Sequence, residues 1–70
     1  MQRTMTSESG EEYEMNDDDI FISDFNEVPK AIETMNVDQY FPNVWHVNDH
    51  GNIDLLSIGY NGAKIVSSWV

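Results

Sequence analysis

Residues 43–70, NVWHVNDHGNIDLLSIGYNGAKIVSSWV, hold two reverse-turn signals among runs of strand-forming residues, and they restrict the fold more than any other part of the chain. Asn61-Gly62 is a favoured central pair for a type I′ turn, whose two inner residues both need positive φ. A turn centred there sets Ile58 opposite Ile65 and Leu56 opposite Ser67. Asp49-His50-Gly51 suits a three-residue loop, a type I turn closed by a glycine in the left-handed region. That loop sets Val47 opposite Ile53 and Trp45 opposite Leu55. The segment therefore reads as a three-stranded antiparallel meander.

Combining the two registers places Trp45, Val47, Ile53, Leu55, Val66 and Val70 on one face, the expected seat of a helix, with Ser57 and Ser68 at its margin. The opposite face carries Val44, His46, Asp54, Leu56, Ile58, Tyr60, Ala63, Ile65, Ser67 and Trp69. A tighter loop centred on His50-Gly51 would mix Trp45 and Val47 with Asp54 and Tyr60, which sorts apolar from polar side chains poorly. The three-residue loop is the better reading.

The helix comes from NEVPKAIETM. Asn26 is a suitable N-cap, Glu27 suits the positive end of the helix dipole, and Pro29 falls where no backbone donor is needed. Val28, Ala31, Ile32 and Met35 recur at helical spacing and form one core-facing stripe. The helix is expected to end near Asn36, with a further short turn before Pro42. Ahead of it, residues 20–23 (IFIS) read as a first strand bounded by aspartates. Residues 1–16 are polar and acidic, with no helical or alternating apolar period, and are expected to form a disordered arm. The expected fold is α+β: one amphipathic helix packed on a three- to four-stranded antiparallel sheet that ends in the β-meander. Residues 17–70 form the single small domain, and residues 1–16 its flexible acidic arm.

Seventy residues allow one such domain, which buries only roughly 60% of the surface its unfolded chain exposes. There is no cysteine, so neither a disulfide framework nor a cysteine-ligated zinc can supplement the core. That composition is compatible with a reducing compartment. Two tryptophans, three tyrosines and three phenylalanines are too many for a wholly disordered chain. No apolar run approaches the ~20 residues of a membrane span, and MQRTMTSESG lacks the apolar centre of a secretory signal. The chain reads as soluble and cytoplasmic.

Thirteen acids against three bases give a net charge of −10. This opposes contact with nucleic acid or an anionic membrane and favours a basic partner. Eight of the acids and one base lie in residues 1–24, a net of −7. A calcium loop is excluded around Asp17-Asp18-Asp19, because the alternating oxygen ligands, central glycine and terminal glutamate of an EF-hand are missing. An extended Asp17-Asp18-Asp19 would instead place charges about 3.3 Å apart, close to the ~3.4 Å charge spacing along one DNA strand. The run DDDIFISD also resembles a SUMO-interacting motif or an acidic activation segment, with Ile20 and Ile22 entering pockets of a partner's sheet. Ser9, before Glu11-Glu12, resembles an acidophilic-kinase site.

His46 and His50 fall on a strand and a turn tip, so no shared metal is expected, and nothing calls for a cofactor. His46 lies cross-strand from Asp54, and Ser57, Ser67 and Ser68 are nearby nucleophile candidates. No nucleophile elbow or oxyanion loop accompanies them, so no enzyme is expected. Leu56, Ile58, Tyr60, Ile65 and Trp69 would form an apolar patch with polar margins, the anatomy of an interface.

These features point to a non-catalytic acidic binding protein. It would act as an inhibitor or antagonist that presents carboxylates to the basic, nucleic-acid-binding surface of a protein partner. The expected partner-binding residues are Glu11, Glu12, Glu14, Asp17, Asp18, Asp19, Asp24, Tyr60 and Trp69. In composition the chain resembles short acidic phage-encoded anti-restriction and anti-CRISPR proteins and the immunity proteins of nucleases. The competing reading is a regulatory or structural module that binds a partner, or homodimerises, through the aromatic sheet face or the edge strand ending at Trp69-Val70. In that case the acidic arm serves only solubility.

Overall fold

The computed structural model describes residues 2–59 and 62–70. In chain order these form β1 (Arg3–Thr6), β2 (Glu12–Met15), β3 (Ile20–Ile22), a 3₁₀ turn (Phe25–Glu27), α1 (Val28–Asp38), β4 (Val44–Val47), β5 (Ile53–Gly59) and β6 (Gly62–Trp69). The strands make a β1-β2 hairpin and a four-stranded sheet of order β3-β4-β5-β6. The α+β class is as the sequence leads one to expect.

The first turn of the meander behaves as its local chemistry dictates. Gly51 takes a positive φ of 82°, its N–H donates to Asn48, and the Asn48 N–H donates to Asn52. Val47 faces Ile53 and Trp45 faces Leu55. The second turn departs from expectation. Asn61 lies outside the described residues, but Gly59 faces Gly62, so Ile58 pairs with Ala63 and Leu56 with Ile65. That is a slip of two residues, which keeps Ala63 and Ile65 on their expected face. A bulge then intervenes: Leu55 pairs with Ser67 while Leu56 pairs with Ile65, leaving Val66 as the extra residue. Beyond it the alternation inverts. Ser67 and Trp69 move to the face of Trp45, and Ile53 pairs with Trp69.

Three further corrections concern the first half of the chain. β3 pairs with β4 in parallel, not antiparallel, with Ile20 opposite Val44 and Ile22 opposite His46. The intervening helix returns the chain to the starting end of β3, so β4 sets off in the same direction. The helical segment is capped by Asp24 rather than Asn26: the Asp24 carboxylate accepts the Asn26 N–H at 2.8 Å. Glu27 reaches back to the N–H groups of Ser23 and Asp24, at 2.8 and 3.0 Å, completing a capping box. Those two backbone donors, and then the Ser23 hydroxyl, hold the Glu27 carboxyl below its ordinary pKa. α1 also runs on to Asp38 in one piece, ending at Gln39 in the left-handed region.

The segment expected to be a disordered arm holds two paired strands, Arg3–Thr6 and Glu12–Met15. Thr4 pairs with Glu14 and Thr6 with Glu12 across a hairpin whose turn is closed by the Gly10 N–H to Ser7 and the Ser7 N–H to Glu11. Met5 is only 5% exposed. The reason is that the hairpin covers one face of the main sheet: Met5, Trp45 and Leu55 form a core, with Tyr13, Met15, Ile53 and Trp69 packed around it. The helix sits on the other face, opposite to expectation. Val28 and Met35 of α1 meet Ile22, Val44 and Leu56 there, with Ile20, Ile32, Ile58 and Ala63 alongside. The helical stripe itself is as predicted, with Val28, Ala31 and Met35 buried. Hairpin, sheet and helix thus form three layers. Each buried apolar side chain in them, such as Val44 or Leu56, contributes about 1.5–3 kcal/mol.

Candidate functional site

Strand alternation decides which hairpin side chains meet the core. On β2, Tyr13 and Met15 turn toward the sheet while Glu12 and Glu14 are exposed. Thr4 and Thr6 stand beside those glutamates on the outer face. Successive outward carboxylates on one strand are about 7 Å apart. The spacing is fixed because the inner face is fastened at several points. The Trp69 indole donates to the Thr6 carbonyl at 2.7 Å. Its ring meets Tyr13 edge-on at 6.2 Å and Trp45 at 5.8 Å. Asn43 donates to the Glu14 carbonyl at 3.1 Å.

The expected binding residues divide accordingly. Glu11, Glu12 and Glu14 are exposed on the hairpin. Glu14 accepts the Gln2 side-chain amide at 2.7 Å. Glu11 accepts the Tyr13 hydroxyl, and that hydrogen bond, with burial and the Glu11 charge, pushes the Tyr13 phenol up. Asp17 and Asp18 are exposed in the turn after β2. Asp17-Asp18-Asp19 is not extended, which overturns the expected strand-like charge spacing: the Asp19 N–H closes a turn onto Asn16 at 3.0 Å. Asp19 itself faces inward. Its Oδ2 accepts the Trp45 indole N–H and the Asn16 N–H, both at 2.9 Å. Asp24 serves as the cap described above, and Trp69 is engaged within the chain. Tyr60 lies outside the described residues.

Of the expected apolar patch, Leu56 is buried, Ile58 packs against the helix-side core and Trp69 against the hairpin-side core, while Ile65 is 54% exposed. Ile20 and Ile22 are committed to their own sheet, with Ile22 buried under α1.

A polar chain crosses three strands behind α1. His46 Nδ1 lies 3.0 Å from Asp54 Oδ2, and the Ser68 hydroxyl donates to Asp54 Oδ1 at 2.7 Å. Phe25 lies over the imidazole at 4.3 Å between ring centres. Burial pushes the Asp54 carboxyl up. The hydrogen bonds from Ser68 and His46, with the imidazole's charge, outweigh that and hold it below the ordinary range. The serine gives its proton to the carboxylate and not to the imidazole, which is the wrong order for activating a nucleophile. The arrangement joins β4, β5 and β6 instead.

The feature missing from the sequence reading was the hairpin. Its signal was present in Thr4-Met5-Thr6 and Glu12-Tyr13-Glu14-Met15, short period-two alternations on either side of Ser9-Gly10. Among the described residues, no helix is long and apolar enough to cross a membrane. No protein-family model, curated protein or solved structure matches the chain.

Proposed function

We propose that the chain is a non-catalytic, cytoplasmic antagonist that offers a fixed array of carboxylates to the basic, nucleic-acid-binding surface of a protein partner. The observation that carries this reading is the placement of Glu12 and Glu14 on the outer face of a strand whose inner face is packed against the core. Glu11, Asp17 and Asp18 extend the array at either end. Charges on anchored backbone need less ordering on binding than charges on a loose tail, so more of their interaction survives as affinity. The net charge of −10 speeds encounter with a basic groove and makes the complex salt-sensitive. Asp19 and Trp69 hold the hairpin and its following turn to the core, and the exposed Asp24 caps the helical segment, so the proposed contacting set is Glu11, Glu12, Glu14, Asp17 and Asp18.

Affinity capture tests this reading. The wild-type chain should retain a nucleic-acid-binding protein at low salt and release it near 0.5 M, where the Debye length is about 4 Å. A variant carrying E11Q, E12Q, E14Q, D17N and D18N, with an unchanged circular dichroism spectrum, should retain at least tenfold less. Undiminished capture by that variant, or a complex indifferent to salt, would refute the assignment.

A further inference from the structure

The two edges of the main sheet are built differently. β3 is three residues long, preceded by Asp17, Asp18 and Asp19 and followed by Asp24. Short length and flanking charge are the usual means of keeping an edge from pairing. β6 is eight residues long, contains no proline, and carries Lys64 as its sole charged residue. Residues 55–70 contain no Asp or Glu, and the Asp54 carboxylate beside the strand is taken up by the Ser68 hydroxyl and His46. Ile65 and Val66, at the middle of this edge, are 54% and 48% exposed.

We propose that β6 is a self-association edge and that its occupant is β6 of a second copy of this chain, paired antiparallel about a two-fold axis. Charge selects the occupant. A basic partner is drawn to the carboxylate-bearing hairpin, whereas two copies of a chain with net charge −10 repel least when they meet along a strand that itself carries no Asp or Glu. β6 offers that meeting place. The symmetric pairing forms one eight-stranded sheet, because each subunit supplies the four strands β3-β4-β5-β6. It is also self-limiting, since both outer edges are then the acid-flanked β3. The bulge at Val66 bends the edge and further disfavours open-ended stacking. A single strand pairing is small beside the roughly 1,200 Å² of a stable interface, so the dimer is weak and strengthens as salt screens the like charges. Its salt response is the reverse of that proposed for the partner complex, which keeps the two ideas separable.

Sedimentation equilibrium of the full chain over roughly 10 µM to 1 mM, at about 0.05 and 0.5 M salt, should show a monomer–dimer equilibrium that tightens with salt. Amide exchange should slow in β6 as concentration rises while β3 is unaffected. Ile65→Lys with Val66→Lys should weaken dimerisation at least tenfold. A wild-type chain that stays monomeric throughout overturns the proposal. So does a dimer whose added protection lies outside β6, or one that survives in the folded double-lysine variant. If that variant fails to fold, the exchange pattern of the wild type decides.

Discussion

Asp19→Ala should destabilise the fold severely, although by composition Asp19 looks like one of three equivalent surface acids. Its Oδ2 is the acceptor for the Trp45 indole N–H and the Asn16 N–H, both at 2.9 Å, and Trp45 is 0% exposed. Removing the carboxylate leaves the indole donor buried and unpaired, which costs about 1–3 kcal/mol. The lost turn closure at Asn16 adds about 1 kcal/mol, for a total of about 2–4 kcal/mol. A chain of seventy residues has a total stability on the order of 4–10 kcal/mol, so much of the margin disappears. Asp19→Asn keeps an amide oxygen where Oδ2 stood and loses only charge assistance, at about 1 kcal/mol. Urea unfolding followed by tryptophan fluorescence reads the difference directly. With a slope near ~1 kcal/mol/M, the alanine variant's midpoint should fall by about 2–4 M and the asparagine variant's by about 1 M. The reasoning fails if the alanine variant lies within ~0.5 M of wild type, or if the two variants coincide. The outcome bears on function too, because a lost interaction in Asp19→Ala would report unfolding rather than a binding contact.

Trp69→Ala should cost about 2–4 kcal/mol and release the hairpin first, seen as faster amide exchange at Met5 and Tyr13 than in α1; equal acceleration everywhere would contradict that order. The Asp54 carboxyl, lowered in the folded state, contributes stability that is fully present above its unfolded pKa of about 3.9 and is lost as pH falls through the folded value. Ser68→Ala removes one of the hydrogen bonds that lower it. The drop in urea midpoint between neutral pH and about pH 2.5 should therefore be smaller than in wild type, and an unchanged drop would show that Ser68 does not set it.

What could be read from the sequence was local. The Asp49-His50-Gly51 loop specifies its own geometry through one glycine, and the strands it joins follow in correct register. The stripe of Val28, Ala31 and Met35 needs only a 3.6-residue repeat. The helix start lies earlier than expected because Asn26 and Asp24 both make good caps; only Glu27 reaching back to Ser23 and Asp24 chooses between them. Trp69 departs from its expected face because a bulge at Val66 leaves no trace in residue types, yet inverts everything beyond it. That one displacement also hid the site. With Trp69 expected on the opposite face and the Trp45 face given to the helix, no surface is left to hold a hairpin, so Met5, Tyr13 and Met15 look like stray apolar residues in an acidic tail.

The bond from Trp69 to the Thr6 carbonyl joins residues separated by 63 positions. Its consequence lies in the order of assembly. Tyr13 and Met5 have no complete surface to settle on until the last strand has emerged from the ribosome and taken its place beside β5. The earliest-synthesised strands are therefore the last to be secured, and the high contact order of that closure slows folding relative to a helical bundle of equal length. Until then the exposed Glu11, Glu12 and Glu14 favour hydration of the waiting segment over premature collapse.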